Sequence, residues 1–210
     1  MIYLKENRKP MDAVIFDLGN VLLDYSPRRI LGEIGISPDL HDRIAAVLFE
    51  DLETWTELDR GTITSADLID IAVSKEPFLR KEITEFIREW PYHFNAIPEN
   101  VAALYRIIET GTKIYVLSNF ALDVFRIEQK RNVFLSEFDG FIISSEHHLV
   151  KPDPAIYRLL IETFDLDPDR SVFIDDIEAN INAAIAAGLN GIHLPARTDV
   201  SSYFIFPESE

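Results

Sequence analysis

The chain has 210 residues, of which 47% are hydrophobic and 27% are charged, and its formal net charge is −16 at pH 7. This size and composition fit a globular protein with one sizeable core, or a core with a smaller insertion. The negative charge makes nucleic acids and acidic membrane surfaces poor partners, and an anionic substrate would need local positive charge at its site.

Cysteine content and apolar runs set two further limits. No cysteine occurs, which excludes disulfides, thiolate metal ligands and cysteine nucleophiles. The first residues, MIYLKENRKP, contain no apolar stretch of signal-peptide length, and no run approaches the length of a membrane span. We therefore expect a cytoplasmic protein that binds neither nucleic acid nor membrane.

The first predicted element follows a polar lead-in over residues 1–11. Residues 13–16 read AVIF and are followed directly by Asp17. Four apolar residues without alternation predict a strand that is buried on both faces, as in a parallel sheet flanked by helices. A carboxylate at the carboxyl end of such a strand lies where open α/β sheets bind ligands, so Asp17 is a candidate nucleophile.

A helical block comes next, from residue 27 to about residue 90. Apolar residues recur there at spacings of three and four, and no good strand run interrupts them. Ser37 followed by Pro38 predicts one helix start, and Thr64 with Asp67 three positions on predicts another. These patterns indicate an all-helical insertion.

Strands and helices alternate in the remainder of the chain. Helices are predicted over residues 98–110, 121–130, 154–164 and 178–187, and strands over residues 113–117, 141–143, 171–174 and 191–194. Alternation of this kind, with apolar strands that do not alternate internally, predicts a three-layer α/β fold around a parallel sheet.

Polar side chains follow three of the predicted strands. These residues are Asp17, the pair Ser118-Asn119 and the pair Asp175-Asp176. Each alone could cap the next helix. Because the carboxyl ends of parallel strands share one edge of a sheet, we expect all of them to meet there.

Together with Lys151, these residues favour metal-assisted phosphoryl transfer. Three neighbouring carboxylates repel one another unless cations compensate them, and Mg²⁺ prefers oxygen ligands that include one or two carboxylates. A carboxylate can attack phosphorus to form an acyl phosphate. The metal, Lys151 and Ser118 could then stabilise the phosphoryl oxygens.

Four segments resemble, in order and spacing, the motifs of the haloacid dehalogenase superfamily. They are FDLGNVLLD at 16–24, VLSN at 116–119, KPDPAIY at 151–157 and FIDDIEANINAA at 173–184. The resemblance implies a Rossmann-like core over residues 1–25 and 92–210, with a helical C1 cap domain inserted over residues 26–91. Its subgroup includes sugar-phosphate phosphatases, haloacid dehalogenases and the phosphatase domain of epoxide hydrolases.

The resemblance also implies a role for each motif residue. Asp17 would be the nucleophile and a Mg²⁺ ligand, with the Gly19 carbonyl and Asp176 as further metal ligands. Asp175 would support Lys151 or a metal-bound water.

The second and third motifs imply phosphate contacts. Ser118 would bind phosphate, with Asn119 beside it, and Lys151 would steady both the nucleophile and the phosphate. The implied partner is a small phosphorylated molecule.

Gly19 departs from the superfamily pattern. Most of its phosphatases carry an aspartate at this position, which protonates the leaving oxygen. Three accounts are open. The chain could belong to a D-x-G-N-V subgroup similar to sugar-phosphate phosphatases, for which a weaker acid suffices because the substrate has a better leaving group. It could instead be a metal-independent 2-haloacid dehalogenase, or a weakly active or non-catalytic protein that binds a phosphorylated ligand. Asp176 favours the phosphatase, because dehalogenases lack that aspartate and a buried carboxylate without a cation is unfavourable.

Other residues are candidates for supporting roles. Asp24 and the pair His147-His148 are candidate substitutes for the missing acid, and Arg28 and Arg29 could bind a halide, a carboxylate or a sugar phosphate. The residues expected to face the site from the cap are Trp55, Glu53, Thr56 and Arg60. The favoured function is therefore Mg²⁺-dependent hydrolysis of small phosphomonoesters, above all sugar phosphates, through an aspartyl-phosphate intermediate.

Overall fold

The computed structural model describes residues 1–49, 52–195 and 198–207. The strands are β1 Ile2–Leu4, β2 Pro10–Met11, β3 Ala13–Phe16, β4 Leu23–Asp24, β5 Asn95–Ala96, β6 Lys113–Ser118, β7 Gly140–Ile143, β8 Ser171–Asp175, β9 Asn190–His193 and β10 Phe204–Ile205. The helices are α1 Pro27–Ile34, α2 Pro38–Leu48, α3 Leu52–Arg60, α4 Ser65–Lys75, α5 Arg80–Glu89, α6 Pro98–Glu109, α7 Leu122–Arg131, α8 Ser144–His147, α9 Pro154–Thr163 and α10 Glu178–Ala186.

A five-stranded sheet forms the middle layer. Its order is β7-β6-β3-β8-β9, and every neighbouring pair is parallel. All four residues of β3 are buried: Val14 and Phe16 belong to one apolar cluster, and Ala13 and Ile15 to the other. Since successive strand residues point to opposite faces, each face of the sheet is covered by its own layer. The predicted three-layer α/β fold is confirmed.

The insertion after β4 is helical, as predicted. Helices α1 to α5 lie between β4 and β5, which pair antiparallel at its base. Thr64 begins α4 through reciprocal bonds with Asp67: its hydroxyl accepts from the Asp67 amide at 3.2 Å, and the Asp67 carboxylate accepts from the Thr64 amide at 2.8 Å. Helix α2 begins at Pro38, but the Ser37 side chain makes no capping bond. The boundaries of a cap at 26–91 stay a prediction.

The insertion and the sheet layer share one apolar cluster. Ile44, Leu48 and Phe86 of the insertion belong to the same apolar cluster as Phe16 and Val116 of the sheet. Trp55 of α3 lines the same cavity as Asp17 and Ser118, which places α3 over the sheet edge where β3 and β6 end. Among the helices of the described ranges, none combines the length and the apolar character needed to cross a membrane.

The first residues differ from the expected polar lead-in. Strands β1 and β2 pair antiparallel, and β1 also pairs with β10. Ile2, Leu4 and Met11 are buried, whereas Tyr3 is exposed. Strands of two or three residues are too short to show a periodic pattern, which explains why the sequence did not predict this small sheet.

Candidate active site

The polar residues that follow the strands lie together at one sheet edge. Asp17 follows β3, while Ser118 and Asp175 end the two neighbouring strands β6 and β8. The Asp17 amide donates to the Ile174 carbonyl at 2.9 Å, which extends the β3–β8 ladder and fixes the backbone of Asp17. The sheet therefore brings these side chains to one place although the chain separates them widely.

Lys151 lies between two carboxylates. Its Nζ is 2.9 Å from Asp17 Oδ1 and 2.6 Å from Asp175 Oδ2. Ser118 Oγ donates to the same Asp17 Oδ1 at 2.6 Å. All four side chains are buried. The lysine charge and the serine hydroxyl thus act on one oxygen of Asp17.

Two asparagines hold this group in place. Asn119 donates to the Lys151 carbonyl at 3.0 Å and accepts from its amide at 2.8 Å, which fixes the backbone of the lysine. Asn180 Nδ2 lies 3.0 Å from each oxygen of Asp175. The side-chain amide of Asn119 is thus engaged with the backbone of Lys151. A contact between Asn119 and phosphate stays a prediction.

Asp176 is oriented by a residue that the sequence did not single out. Asn20 Nδ2 donates to Asp176 Oδ2 at 2.9 Å. Asn20 has a φ of 55°, in the left-handed region that asparagine tolerates better than most residues. Asn20 and Asp176 also line the same cavity as Gly19.

The carboxylates form a donor set that fits Mg²⁺. Asp17, Asp175 and Asp176 each offer one oxygen, and these oxygens lie within 4.8 Å of one another. Both oxygens of Asp175 are engaged by Lys151 and Asn180, whereas Asp17 and Asp176 are each held by other side chains through one oxygen, so Asp17 and Asp176 are the carboxylates that remain for a metal. Mg²⁺ typically takes one or two carboxylates and completes its shell with other oxygens.

The electrostatics of the site also favour a cation. Burial raises the pKa of Asp17 to about 6, against the opposing effect of Lys151, and the negative charge of Asp175 adds to the increase. Burial likewise raises the pKa of Asp176. Burial would lower the pKa of Lys151, but Asp17 and Asp175 outweigh it and raise that pKa, so the lysine is charged. Three ionised carboxylates against one lysine leave two negative charges that a divalent ion would compensate.

A cavity of about 250 Å³ opens above these groups. Its floor is the polar set at the sheet edge. Its wall is largely aromatic and includes Tyr25, Trp55, Trp90, Phe94 and Phe120. The ring centroids of Trp55 and Trp90 are 5.3 Å apart, and those of Trp90 and Phe94 are 5.2 Å apart. A bound molecule would therefore meet charged groups at one end and aromatic rings at the other.

Of the cap residues expected to face the site, Trp55 lines the cavity, whereas Glu53, Thr56 and Arg60 are not among the described residues that line it. The two early arginines also lie elsewhere. Arg28 forms an ion pair with Asp42, and Arg29 forms ion pairs with Asp24 and Glu33.

The expected substitutes for the missing acid lie outside the cavity. Asp24 is bound by Arg29, His147 is exposed, and a ring nitrogen of His148 contacts the Arg60 carbonyl at 3.0 Å. A carboxylate that the sequence did not single out does line the cavity, namely Asp59 in the last turn of α3. No local pattern distinguishes Asp59 from the other acidic residues of the insertion, so only the fold identifies it.

Known proteins resemble this chain over most of its length. A family model described as haloacid dehalogenase-like hydrolase matches residues 11–188. The sesquiterpene phosphatase astK of Aspergillus oryzae is 25% identical over 182 residues, which cover 87% of this chain and 89% of that protein. The phosphorylated carbohydrates phosphatase of Thermotoga maritima is 27% identical over 192 residues, which cover 87% of this chain and 84% of that protein.

A solved structure shares the fold. It is an enzyme of the same family from Bacteroides thetaiotaomicron, crystallised with magnesium and inorganic phosphate. Its TM-score is 0.70 at 22% identity, and the match covers 91% of this chain and 98% of that one. Likeness at this level of identity shows a common fold and leaves the reaction to be argued from the site.

Proposed function

Because the chain belongs to the haloacid dehalogenase-like hydrolase family, we propose that it is a Mg²⁺-dependent phosphatase that hydrolyses small phosphomonoesters through an aspartyl phosphate. The arrangement around Asp17 is the main support. Ser118 and Lys151 both hold its Oδ1, at 2.6 Å and 2.9 Å, whereas no described residue hydrogen-bonds its Oδ2. One oxygen of the carboxylate is fixed, and the other is free to attack.

The reaction would proceed in two displacements at phosphorus. In the first, Asp17 Oδ2 forms a bond to phosphorus while the bond from phosphorus to the alcohol oxygen breaks. Lys151 and Ser118 are close enough to Asp17 to stabilise the negative charge on the phosphoryl oxygens. In the second, a water oxygen attacks phosphorus, phosphate leaves, and the Asp17 carboxylate is restored.

The metal would be held by Asp17, the Gly19 carbonyl and Asp176. When bound, Mg²⁺ supplies positive charge that polarises the phosphoryl group. Two features of the chain support this assignment: the uncompensated negative charge at the sheet edge, and the hydrogen bond by which Asn20 orients Asp176. Asp175 has a different role, because it holds Lys151 against Asp17.

Two classes of leaving group have support. The D-x-G-N-V motif and the carbohydrate phosphatase from Thermotoga maritima support a sugar phosphate. The aromatic wall and the sesquiterpene phosphatase from Aspergillus oryzae support an apolar alcohol. In the described part of the cavity, Asn20, Asn119 and Asn180 are bound to other protein groups. In contrast, the Tyr25 hydroxyl and the Trp90 indole N–H line the cavity without a hydrogen-bond partner among the described residues. The cavity therefore offers polar groups to a sugar as well as aromatic rings to an apolar alcohol, and the apolar alcohol is the second candidate.

A panel of phosphomonoesters tests the proposal. Phosphate release would be measured with Mg²⁺ and with a chelator, on sugar phosphates and on prenyl monophosphates of similar size. We expect turnover that requires Mg²⁺ and disappears in Asp17→Asn. The matched control is Asp70→Asn, which removes an exposed carboxylate from α4 and should leave the rate unchanged.

The other two accounts give different results in the same experiment. Metal-independent release of chloride from 2-chloropropionate would replace the phosphatase with a dehalogenase. Thermal stabilisation by one phosphorylated ligand, without turnover of any ester in the presence of Mg²⁺, would indicate a binding protein.

A further inference from the structure

The proposed reaction needs a proton donor for the leaving alcohol. An alkoxide is a poor leaving group unless it is protonated as its bond to phosphorus breaks. Gly19 has no side chain to supply the proton. Among the carboxylates at the sheet edge, Asp17 is the nucleophile and Asp175 is bound by Lys151 and Asn180. Asp176 is assigned to the metal, so the donor has to come from another part of the cavity.

Asp59 is the remaining carboxylate among the described residues that line the cavity. It lies in the last turn of α3, in the insertion that covers the sheet edge. Its carboxylate forms no hydrogen bond and no ion pair with any residue in the described ranges. A half-buried carboxylate without a partner is unfavourable, so the fold gains nothing from this placement. The position is explained if the carboxylate acts on a bound molecule.

The backbone around Asp59 is fixed to the core. Ser144 Oγ donates to the Asp59 carbonyl, and it also accepts from the Phe120 amide at 2.9 Å. Gly61 has a φ of 72°, and a Cβ at this position would lie 2.6 Å from the Ser145 carbonyl oxygen. The end of α3 therefore approaches α8 more closely than a side chain at position 61 would allow. This contact holds Asp59 at the cavity that contains Asp17.

We propose that Asp59 is the general acid and base of this phosphatase, which places the proton donor on the insertion instead of the core. The inference rests on the proposed function. In the first displacement, the Asp59 carboxyl gives its proton to the alcohol oxygen as the bond from that oxygen to phosphorus breaks. In the second, the Asp59 carboxylate takes a proton from the water whose oxygen bonds to phosphorus. Asp59 ends the cycle protonated, and Asp17 ends it as a carboxylate.

The surroundings of Asp59 suit both protonation states. Burial raises the pKa of Asp59 to about 7, Lys151 opposes the increase, and Asp17 adds to it. Tyr25 lines the same cavity, and its pKa is raised by burial and by the charge of Asp59. An acid whose pKa lies near neutral pH can both give and take a proton there.

Asp59→Asn tests the inference through the leaving group. An alkyl phosphate needs the acid, whereas p-nitrophenyl phosphate has a leaving group stable enough to depart without a proton. Rapid-mixing experiments with Mg²⁺ would follow the first turnover of each ester. We expect the variant to release alkyl alcohol about 10² to 10⁴-fold more slowly than the wild type. It should still release nitrophenolate in a burst at nearly the wild-type rate, followed by slow turnover because water is no longer activated.

Two further variants separate a chemical role from a structural one. Glu57→Gln removes another carboxylate from α3, one that binds Arg60 and Thr62 outside the cavity, and both reactions should be unchanged. Asp59→Glu keeps the acid and should recover part of the alkyl phosphate rate. Circular dichroism would verify that each variant folds.

The outcomes are distinct. The role of Asp59 would be overturned if Asp59→Asn lost the first turnover of both esters to the same extent. It would also be overturned if Asp59→Asn hydrolysed the alkyl phosphate at the wild-type rate. In both cases the phosphatase assignment would remain. If the wild type hydrolysed neither ester, the proposed function would fail, and the inference with it.

Discussion

Replacement of the nucleophile should make the protein more stable while it abolishes turnover. Asp17 is buried at 7% exposure, and burial is the largest reason that its pKa rises from 3.8 to about 6. The folded state therefore resists ionisation of this carboxyl, although Lys151 and Ser118 reduce the effect. Asp17→Asn puts a neutral side chain of the same shape in its place and removes the unfavourable charge.

The size and pH range of the effect follow from the two pKa values. A difference of about two between the folded and unfolded pKa corresponds to about 3 kcal/mol, at about 1.4 kcal/mol for each pKa unit. Because the folded-state pKa is the higher one, ionised Asp17 destabilises the fold. This penalty is absent below a pH of about 4, grows as the pH rises to about 6, and is complete above it.

Urea denaturation at several pH values would measure this effect. In the presence of a chelator, we expect Asp17→Asn to raise the free energy of unfolding by about 2 to 3 kcal/mol at pH 7.5 or so, and by almost nothing near pH 4. Asp70→Asn, on the surface of α4, should change it by less than about 0.5 kcal/mol. Mg²⁺ at about 100-fold over its Kd should stabilise the wild type by about 2.7 kcal/mol and largely remove the difference. A metal-free variant no more stable than the wild type at pH 7.5 or so would refute the reasoning.

Three other substitutions test the supporting contacts. Lys151→Met leaves Asp17 without its cation, and urea denaturation should show a loss of about 3 to 5 kcal/mol, since one partner of a buried ion pair is removed; a loss under about 1 kcal/mol would contradict the assigned charges. Asn20→Ala frees the Asp176 carboxylate, and calorimetry should show Mg²⁺ affinity weakened about 10 to 100-fold; unchanged affinity would remove Asn20 from the metal site. Gly61→Ala should lower both the melting temperature and kcat, because the added Cβ displaces the end of α3. Gly35→Ala is its matched control, with a similar φ of 89° but open space around the added Cβ, so it should cost stability and spare kcat.

The sheet and its polar edge were predictable because their signals are local. Each central strand is a short apolar run, and the residue that follows it is polar, as at Asp17 and Ser118. Because these strands are parallel and adjacent, their carboxyl ends meet at one edge of the sheet, and no other contact has to be known to predict this. The grouping of Asp175 with Asp17 belongs to the same class of inference, since β8 lies next to β3. Lys151 follows no strand, and its place beside Asp175 was implied by the resemblance of its motif.

The remaining parts of the site depend on contacts between distant segments. Asn20 orients Asp176, 156 positions further along the chain. Ser144 fixes the carbonyl of Asp59, 85 positions away. Asn20 and Asp176 belong to two different motifs, and neither motif shows that the two side chains meet. Asp59 belongs to no motif and resembles any other acidic residue at the end of an amphipathic helix. Tertiary packing alone establishes these two contacts.

An acid on the insertion has a consequence that an acid on the core would not have. Asp17, Ser118 and Lys151 are joined by the sheet edge and remain together whatever the helices above them do. Asp59 belongs to that group only while α3 is packed against α8, because Ser144 and the close approach at Gly61 position it. With Asp59 as the acid, an alkyl phosphate would be cleaved only when the insertion encloses it, and the aromatic wall would exclude water at the moment of proton transfer. Because Gly19 carries no carboxylate, the core would have no acid at that position to protonate the leaving group. Hydrolysis of an alkyl phosphate would then require that the insertion first binds the leaving group.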